Sequence, residues 1–252
     1  NDGAGSDAGH TRIYRLDPSD GLWKQLGSDI DGPAASAEAG WSVSLSGNGE
    51  TLAIGAPEHG GSAGHVQIYD YTTTSGWTSR GVAFVGSAVD ELGFSVSLSE
   101  DGDTVAIGAP GAGSGAGETQ IHLWNGSAWA LRGTAIPGAL AGDTLGTSVS
   151  LSHDGATVAI GIPGHDEGPE TDAGQTQIYY WDTTTVPATP FWSLRGSAIS
   201  GAVAGDKLGS SVSLSDTGET VAIGAPDKAG VNGATSGQVG IHRYDLASNL
   251  WL

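Results

Sequence analysis

The sequence predicts an all-β chain, a β-propeller built from four-stranded antiparallel blades, with four full blades and a half-blade, about five in all. Three observations predict it. The pentapeptide Ser-Val-Ser-Leu-Ser occurs four times, at residues 42–46, 95–99, 148–152 and 211–215. Each copy is followed by a short turn and a near-identical second apolar run, at 51–57, 104–110, 157–163 and 220–226. Each unit then carries a third run and a fourth that starts at a tryptophan. Four short strands per ~50 residues is the period of a propeller blade.

The elements follow in chain order. Residues 1–41 hold only the second half of a unit, with runs at 11–16 and 23–27. The full units are 42–94, 95–147, 148–210 and 211–252, and together they form a single propeller domain or propeller fragment. Ser-Val-Ser-Leu-Ser alternates with period two, as a strand does. The turns after it contain Gly49, Gly102, Gly155 and Gly218, which tolerate the positive φ of a tight hairpin. Pro57, Pro110, Pro163 and Pro226 stand where the second strand must end. Third runs are expected at 66–71, 119–124, 176–181 and 239–244. The fourth begin at Trp77, Trp129, Trp192 and Trp251, with Trp23 in the half-unit. No window shows a helical period.

The two faces of such a sheet differ. Val43, Leu45, Leu52 and Ile54 form a bulky face; Ser44, Ala53 and Gly55 form a small one. A sheet of this kind stacks on a copy of itself, bulk against hollow. Repetition around an axis then buries both faces and leaves short, protected edges. Gly55, Gly108, Gly161 and Gly224 are accordingly expected at crowded contacts between blades.

Composition narrows the function. There are nine basic and 28 acidic residues, a net charge of −19, which argues against a nucleic-acid partner because phosphate binding needs a basic footprint. No stretch approaches the ~20 apolar residues of a membrane helix, so no membrane insertion is expected. The absence of cysteine excludes disulfides and thiolate chemistry. The chain has no methionine, not even at position 1, and reads as a processed product or as part of something larger. An acidic, lysine-poor surface fits an extracellular or cell-surface setting.

Leu92-Gly93-Phe94-Ser95-Val96, then Val105-Ala106-Ile107-Gly108-Ala109-Pro110, then a strand such as that at Ile68-Tyr69, resembles FG-GAP repeats. Those are the repeats of integrin-α-like propellers, and the Ser-Val-Ser-Leu-Ser form is similar to that of large surface proteins of aquatic microbes. The resemblance spans essentially the whole chain and implies adhesion or extracellular architecture. Calcium-binding members carry an Asp-rich loop between the first two strands. Here those loops are four residues long, too short for the six to eight oxygens calcium takes. No metal site and no cofactor is expected, and Asp101-Gly102-Asp103 reads as a turn.

No unique chemical constellation stands out, so no catalytic residue is expected. His122 and His242 occupy a third-strand slot filled elsewhere by Tyr14, Tyr69 and Tyr179, which points to packing. His165-Asp166-Glu167 reads as a solvated loop. Asp90, Asp143 and Asp206 align between units. Each either shapes the blade-to-blade turn or contributes to a carboxylate ring at one mouth of the channel. Trp23, Trp77, Trp129 and Trp192 recur once per unit, and Arg80, Arg132 and Arg195 follow three of the tryptophans at +3. These residues either lock the blade edges or form a glycan-stacking platform. Asn125-Gly126-Ser127 is the one N-glycosylation sequon. The function expected from sequence is a non-enzymatic structural or adhesive module, such as a protomer of a surface filament. A glycan-binding lectin-type propeller is the alternative. The expected partners are other copies, neighbouring propeller repeats or glycans.

Overall fold

The protein is described from a computed structural model, for residues 4–184, 191–229 and 236–252. It is a β-propeller. Blade I runs Ser42–Leu45, Thr51–Ala56, His65–Thr72 and Gly76–Ser79, each strand antiparallel to the next. Blade II runs Ser95–Leu98, Thr104–Ala109, Glu118–Trp124 and Trp129–Leu131. Blade III runs Ser148–Leu151, Thr157–Ile162, Gln175–Asp182 and Phe191–Leu194. Blade IV runs Ser211–Leu214, Thr220–Ala225, Gln238–Asp245 and Leu250–Trp251. In the half-blade, His10–Thr11 pairs with Ile30–Asp31, and Tyr14–Leu16 with Trp23–Gln25. The second strands stop one residue before Pro57, Pro110, Pro163 and Pro226, where a missing N–H would break the ladder.

The first strands of blades I to IV lie side by side in order, which makes them the inner strands. Their three serines have distinct tasks. The first donates to the loop ahead of the next blade: Ser42 Oγ to Gly93 O at 2.7 Å, Ser95 Oγ to Gly146 O at 2.7 Å, Ser148 Oγ to Gly209 O at 2.8 Å. The third residue accepts a backbone N–H of the next inner strand: Ser44 Oγ from Leu98, Ser97 Oγ from Leu151, Ser150 Oγ from Leu214. The fifth stays within its own hairpin. Ser99 Oγ accepts the Thr104 N–H and donates to Asp101 Oδ1, which also accepts the Asp103 N–H. A small polar side chain is needed at all three places. The Val and Leu between them face the preceding blade.

The core is a set of blade junctions, each joining an Ala-Ile pair to a bulky face. Ala53 and Ile68 meet Val96, Leu98, Val105 and Ile107; Ala106 and Ile121 meet Val149, Leu151, Val158 and Ile160. Ala159 and Ile178 meet Leu214, Val221 and Ile223. Backbones touch here. A Cβ on Gly55, Gly108 or Gly161 would lie about 2 Å from the carbonyl oxygen of Gly93, Gly146 or Gly209. At Gly224 the three atoms nearest such a Cβ all belong to Ser211 of the same blade, so the expected crowding between blades is not seen there among the described residues.

The sequence reading lacks one strand. Phe84–Val85, Ile136–Pro137 and Ile199–Ser200 pair with the start of the third strand in blades II's predecessor, II and III respectively. Two residues are too few to show alternation.

Candidate functional site

The two ends of the propeller carry different connections. One end has the first hairpin turns and the turns between third and fourth strands. The other, the loop face, has the loops between second and third strands and the loops between blades. These interlock through backbone bonds, such as Gly111 N–H to Asp90 O at 3.2 Å and Gly164 N–H to Asp143 O at 3.1 Å.

The interlocking sets Asp143 against His165 and Asp206 against Lys228, 22 residues apart in each case, and the same offset in sequence joins Ala37 to His59 and Asp90 to Ala112. The scaffold repeats while the pair varies. Among these four pairs, only the one at the junction of blades II and III joins a carboxylate to an imidazole. His165 Nδ1 lies 3.5 Å from Asp143 Oδ1, with the Asp143 side chain 5% exposed and that of His165 19%. Asp143 is itself held, its Oδ2 accepting the Leu140 N–H at 3.0 Å. At the next junction Lys228 Nζ stands 3.2 Å from Asp206 Oδ2, an ion pair without hydrogen-bond geometry. Asp90 Oδ2 accepts the Ser87 N–H at 2.8 Å and faces an alanine slot. His59 has no carboxylate opposite; its ring lies 5.1 Å from that of His65. Burial, then the His59 charge, lowers the His65 pKa. Burial, then the charge of Glu58, raises that of Glu91 on the same face.

The His165 side chain is therefore mostly buried, while Asp166 and Glu167 beside it in the same loop are exposed. Repetition concealed it, because an aspartate shared by three inter-blade loops looks structural. The legible signal was the constant 22-residue offset to a partner slot that changes from unit to unit. Among the described residues no group of three or more His, Asp or Glu side chains is placed to hold a metal ion.

The tryptophans and arginines lie at the outer strands. Trp77, Trp129, Trp192 and Trp251 each donate the indole N–H to a carbonyl of the preceding blade or half-blade, those of Leu26, Arg80, Arg132 and Arg195. Arg80 covers Trp124 and Trp129 of the next blade at 4.9 and 5.4 Å, donates to Gly102 O and pairs with Asp103. Arg132 covers Trp181 and Trp192, and Arg195 covers Tyr244. Burial is the first cause of a lowered Arg132 pKa. Trp23 is exposed. His122 lies 4.5 Å from the Phe84 ring, and burial lowers its pKa to about 4. Asn125 is exposed in its turn, where its Oδ1 accepts the N–H groups of Ser127 and Ala128. A cleft of about 490 Å³ lined by Asp154, Trp181, Arg195, Tyr244 and Asn249 opens at the end opposite the Asp143–His165 pair.

No protein-family model matches the sequence, and no curated protein is significantly similar to it. Solved structures do resemble it. A "putative 6-phosphogluconolactonase" of Bacteroides uniformis superposes with a TM-score of 0.58 at 15% identity, over 96% of this chain and 62% of the other. A protein of the same name from Bacteroides fragilis gives 0.61 at 12% identity, with the same 96% and 62% coverage. The likeness establishes the propeller fold, and this chain spans about three-fifths of the length of those proteins.

The comparison corrects the function expected from sequence. A non-enzymatic structural or adhesive module was inferred from regular repeats lacking a unique constellation. Propellers of this architecture bear the name of a hydrolase. The junction of blades II and III also holds a constellation found at no other described junction. Neither the adhesive reading, its lectin alternative, nor the absence of enzymatic activity stands on repetition alone.

Proposed function

We propose that the chain is a hydrolase acting on carbohydrate-derived lactones at the loop face, with His165 as general base and Asp143 as the residue that positions it. The Asp143–His165 pair carries this reading. A buried carboxylate 3.5 Å from Nδ1 stands on one side of the ring and leaves Nε2 for proton transfer. In the reaction, Nε2 takes a proton from water as its oxygen attacks the lactone carbonyl. The ring C–O bond of the tetrahedral intermediate then breaks, and the imidazolium returns its proton to the departing oxygen. The product is a hydroxy acid, ionised at neutral pH. Lys207 and Lys228, on the same face, are each paired with a carboxylate, Asp227 and Asp206 respectively. The names of the structural neighbours support the substrate class.

The test is lactone hydrolysis by the 252-residue chain, its His165→Asn and Asp143→Asn variants, and the control His153→Asn. The reading predicts saturable turnover above the spontaneous rate, reduced 10²–10⁴-fold in His165→Asn, the usual contribution of general-base catalysis, and unchanged in the control. Turnover absent, or unchanged in His165→Asn, contradicts it.

The finer family assignment is a proposal too. The spacing of Leu92-Gly93-Phe94 and the Ala-Ile-Gly-Ala-Pro run supports an FG-GAP repeat, and the acidic, lysine-poor composition supports an extracellular setting. Fractionation of the source cells with an antibody to the chain tests the latter.

A further inference from the structure

We propose that the cleft at the junction of blades III and IV binds a small aromatic carboxylate, with Arg195 as its anion-binding group. A comparison of two junctions within the chain carries the inference. Arg80 and Arg195 stand at the same place, just after the fourth strands of blades I and III, and their Nη1 atoms are anchored alike. Arg80 Nη1 donates to Gly102 O at 3.1 Å and to Thr51 Oγ1 at 3.4 Å. Arg195 Nη1 donates to Gly218 O at 3.1 Å and to Thr157 Oγ1 at 3.5 Å. The rest of the guanidinium differs. Arg80 Nε lies 3.5 Å from Asp70 Oδ2, and its Nη2 pairs with Asp103 Oδ1. At Arg195 neither nitrogen has a carboxylate oxygen within 4.0 Å among the described residues.

Two replacements account for the difference. Asp70 lies opposite Thr51, and Tyr180 holds that place opposite Thr157. The Tyr180 hydroxyl donates instead to Asp182 Oδ2 at 3.1 Å. Asp103 precedes Thr104, whereas the longer and exposed Glu219 precedes Thr220. One scaffold thus holds an arginine with two carboxylates at one junction and an arginine with none at another. An arginine fork recognises a carboxylate through two parallel N–H bonds, the strongest form of such a contact.

The space beside Arg195 suits the body of such a ligand. Its volume of about 490 Å³ lies within the ~300–1,000 Å³ of small-molecule sites. Tyr180, Trp181 and Tyr244 line it, and flat rings of this kind take an aromatic ligand by offset or edge-to-face stacking. Asn249 also lines it; its Oδ1 accepts the Tyr244 hydroxyl at 2.6 Å, which leaves Nδ2 to donate. Asp154, the acidic residue of the lining, is engaged by its own hairpin, where Oδ1 accepts the Ser152 hydroxyl at 2.6 Å and the Ala156 N–H at 2.9 Å. The junction itself is closed in the same way as the others: Trp251 Nε1 donates to Arg195 O at 2.7 Å, as Trp129 Nε1 does to Arg80 O. The site lies at the end opposite the Asp143–His165 pair and is independent of the chemistry proposed there.

The probe is 2-naphthoate, titrated into the 252-residue chain by isothermal titration calorimetry beside 2-naphthalenemethanol, which keeps the rings and lacks the charge. The proposal predicts saturable one-to-one binding of the acid, at least about tenfold tighter than that of the alcohol. Arg195→Lys, checked for an unchanged circular dichroism spectrum, keeps the charge but loses the fork and should bind at least about tenfold more weakly. Glu219→Asp leaves the arginine untouched. It sets at this junction the residue found at Asp103, satisfies Arg195 from within the chain and should weaken binding by the same factor. Arg12→Lys, at an exposed site in the half-blade, should bind as wild type does. Absence of saturable binding overturns the proposal, as do equal binding of the alcohol, unchanged affinity in Arg195→Lys or Glu219→Asp, and an equal loss in Arg12→Lys.

Discussion

Gly108→Ala and Gly224→Ala make the same chemical change at the same place in two blades, but among the described residues only at Gly108 do the nearest atoms include the backbone of the loop ahead of a neighbouring blade. At Gly108 the new Cβ would stand 2.0 Å from the Gly146 carbonyl oxygen and 2.4 Å from Ser95 Oγ. The serine can rotate, but rotation gives up its bond to Gly146 O, worth about 1 kcal/mol. The carbonyl belongs to backbone wedged between blades, and moving it costs a further ~1–3 kcal/mol of overpacking. The sum is about 3 kcal/mol. At ~2–4 °C per kcal/mol for a domain of this size, the melting temperature should fall by roughly 6–12 °C. At Gly224 the Cβ meets only Ser211 Oγ, 2.3 Å away and free to turn. The cost there should stay within about 1 kcal/mol and the fall within about 4 °C. Scanning calorimetry of both variants reads the difference. Equal losses, or none in Gly108→Ala, would refute stacking of blades through backbone contact at this position.

Three further outcomes follow from the same junctions. Ser97→Ala removes the acceptor of the Leu151 N–H, 3.0 Å away, and should cost about 1–3 kcal/mol in urea unfolding for a partly buried orphan donor. Trp129→Phe keeps a ring under Arg80 but loses the 2.9 Å bond to the Arg80 carbonyl, and its denaturation midpoint should fall by the equivalent of about 1 kcal/mol. His122, held by burial at a pKa of about 4, binds fewer protons in the folded chain than in the unfolded one between about pH 4 and 6.5. Its contribution is present above pH 6.5 and is lost as the pH falls through that window. In His122→Tyr, which places there the residue found at Tyr69 and Tyr179, stability should therefore depend less steeply on pH between 4 and 6.5; an unchanged slope counts against the burial argument.

Much of the fold was legible because each blade is written by local pattern. Period-two alternation set the inner strand, a glycine turn set the hairpin, and Pro57 and its counterparts marked the strand ends. The Val-Leu and Ser-Ala-Gly faces announced stacking. What stayed hidden depended on neighbours. Nothing in Gly224 itself distinguishes its surroundings from those of Gly108, and nothing in Phe84 and Val85 distinguishes a two-residue strand from a loop. The candidate site was hidden for a related reason. Asp143 reads as one of three equivalent turn aspartates, and His165 as a residue of an acidic loop. Their pairing exists only because the loop of one blade interlocks with the linker before it. Reading the linker and the loop as paired columns, 22 residues apart, would have singled out the one carboxylate–imidazole junction.

Titration of acid release in a pH-stat, with sugar lactones as substrate, tests the functional reading most directly. Ring opening liberates one proton per lactone at neutral pH. The wild-type chain should release acid faster than the spontaneous reaction and with saturation, while His165→Asn, folded to the same extent, should fall to within about a hundredth of that rate or below. Acid release by the wild-type chain no faster than buffer, or a His165→Asn variant as active as wild type, would contradict the assignment of chemistry to the junction of blades II and III.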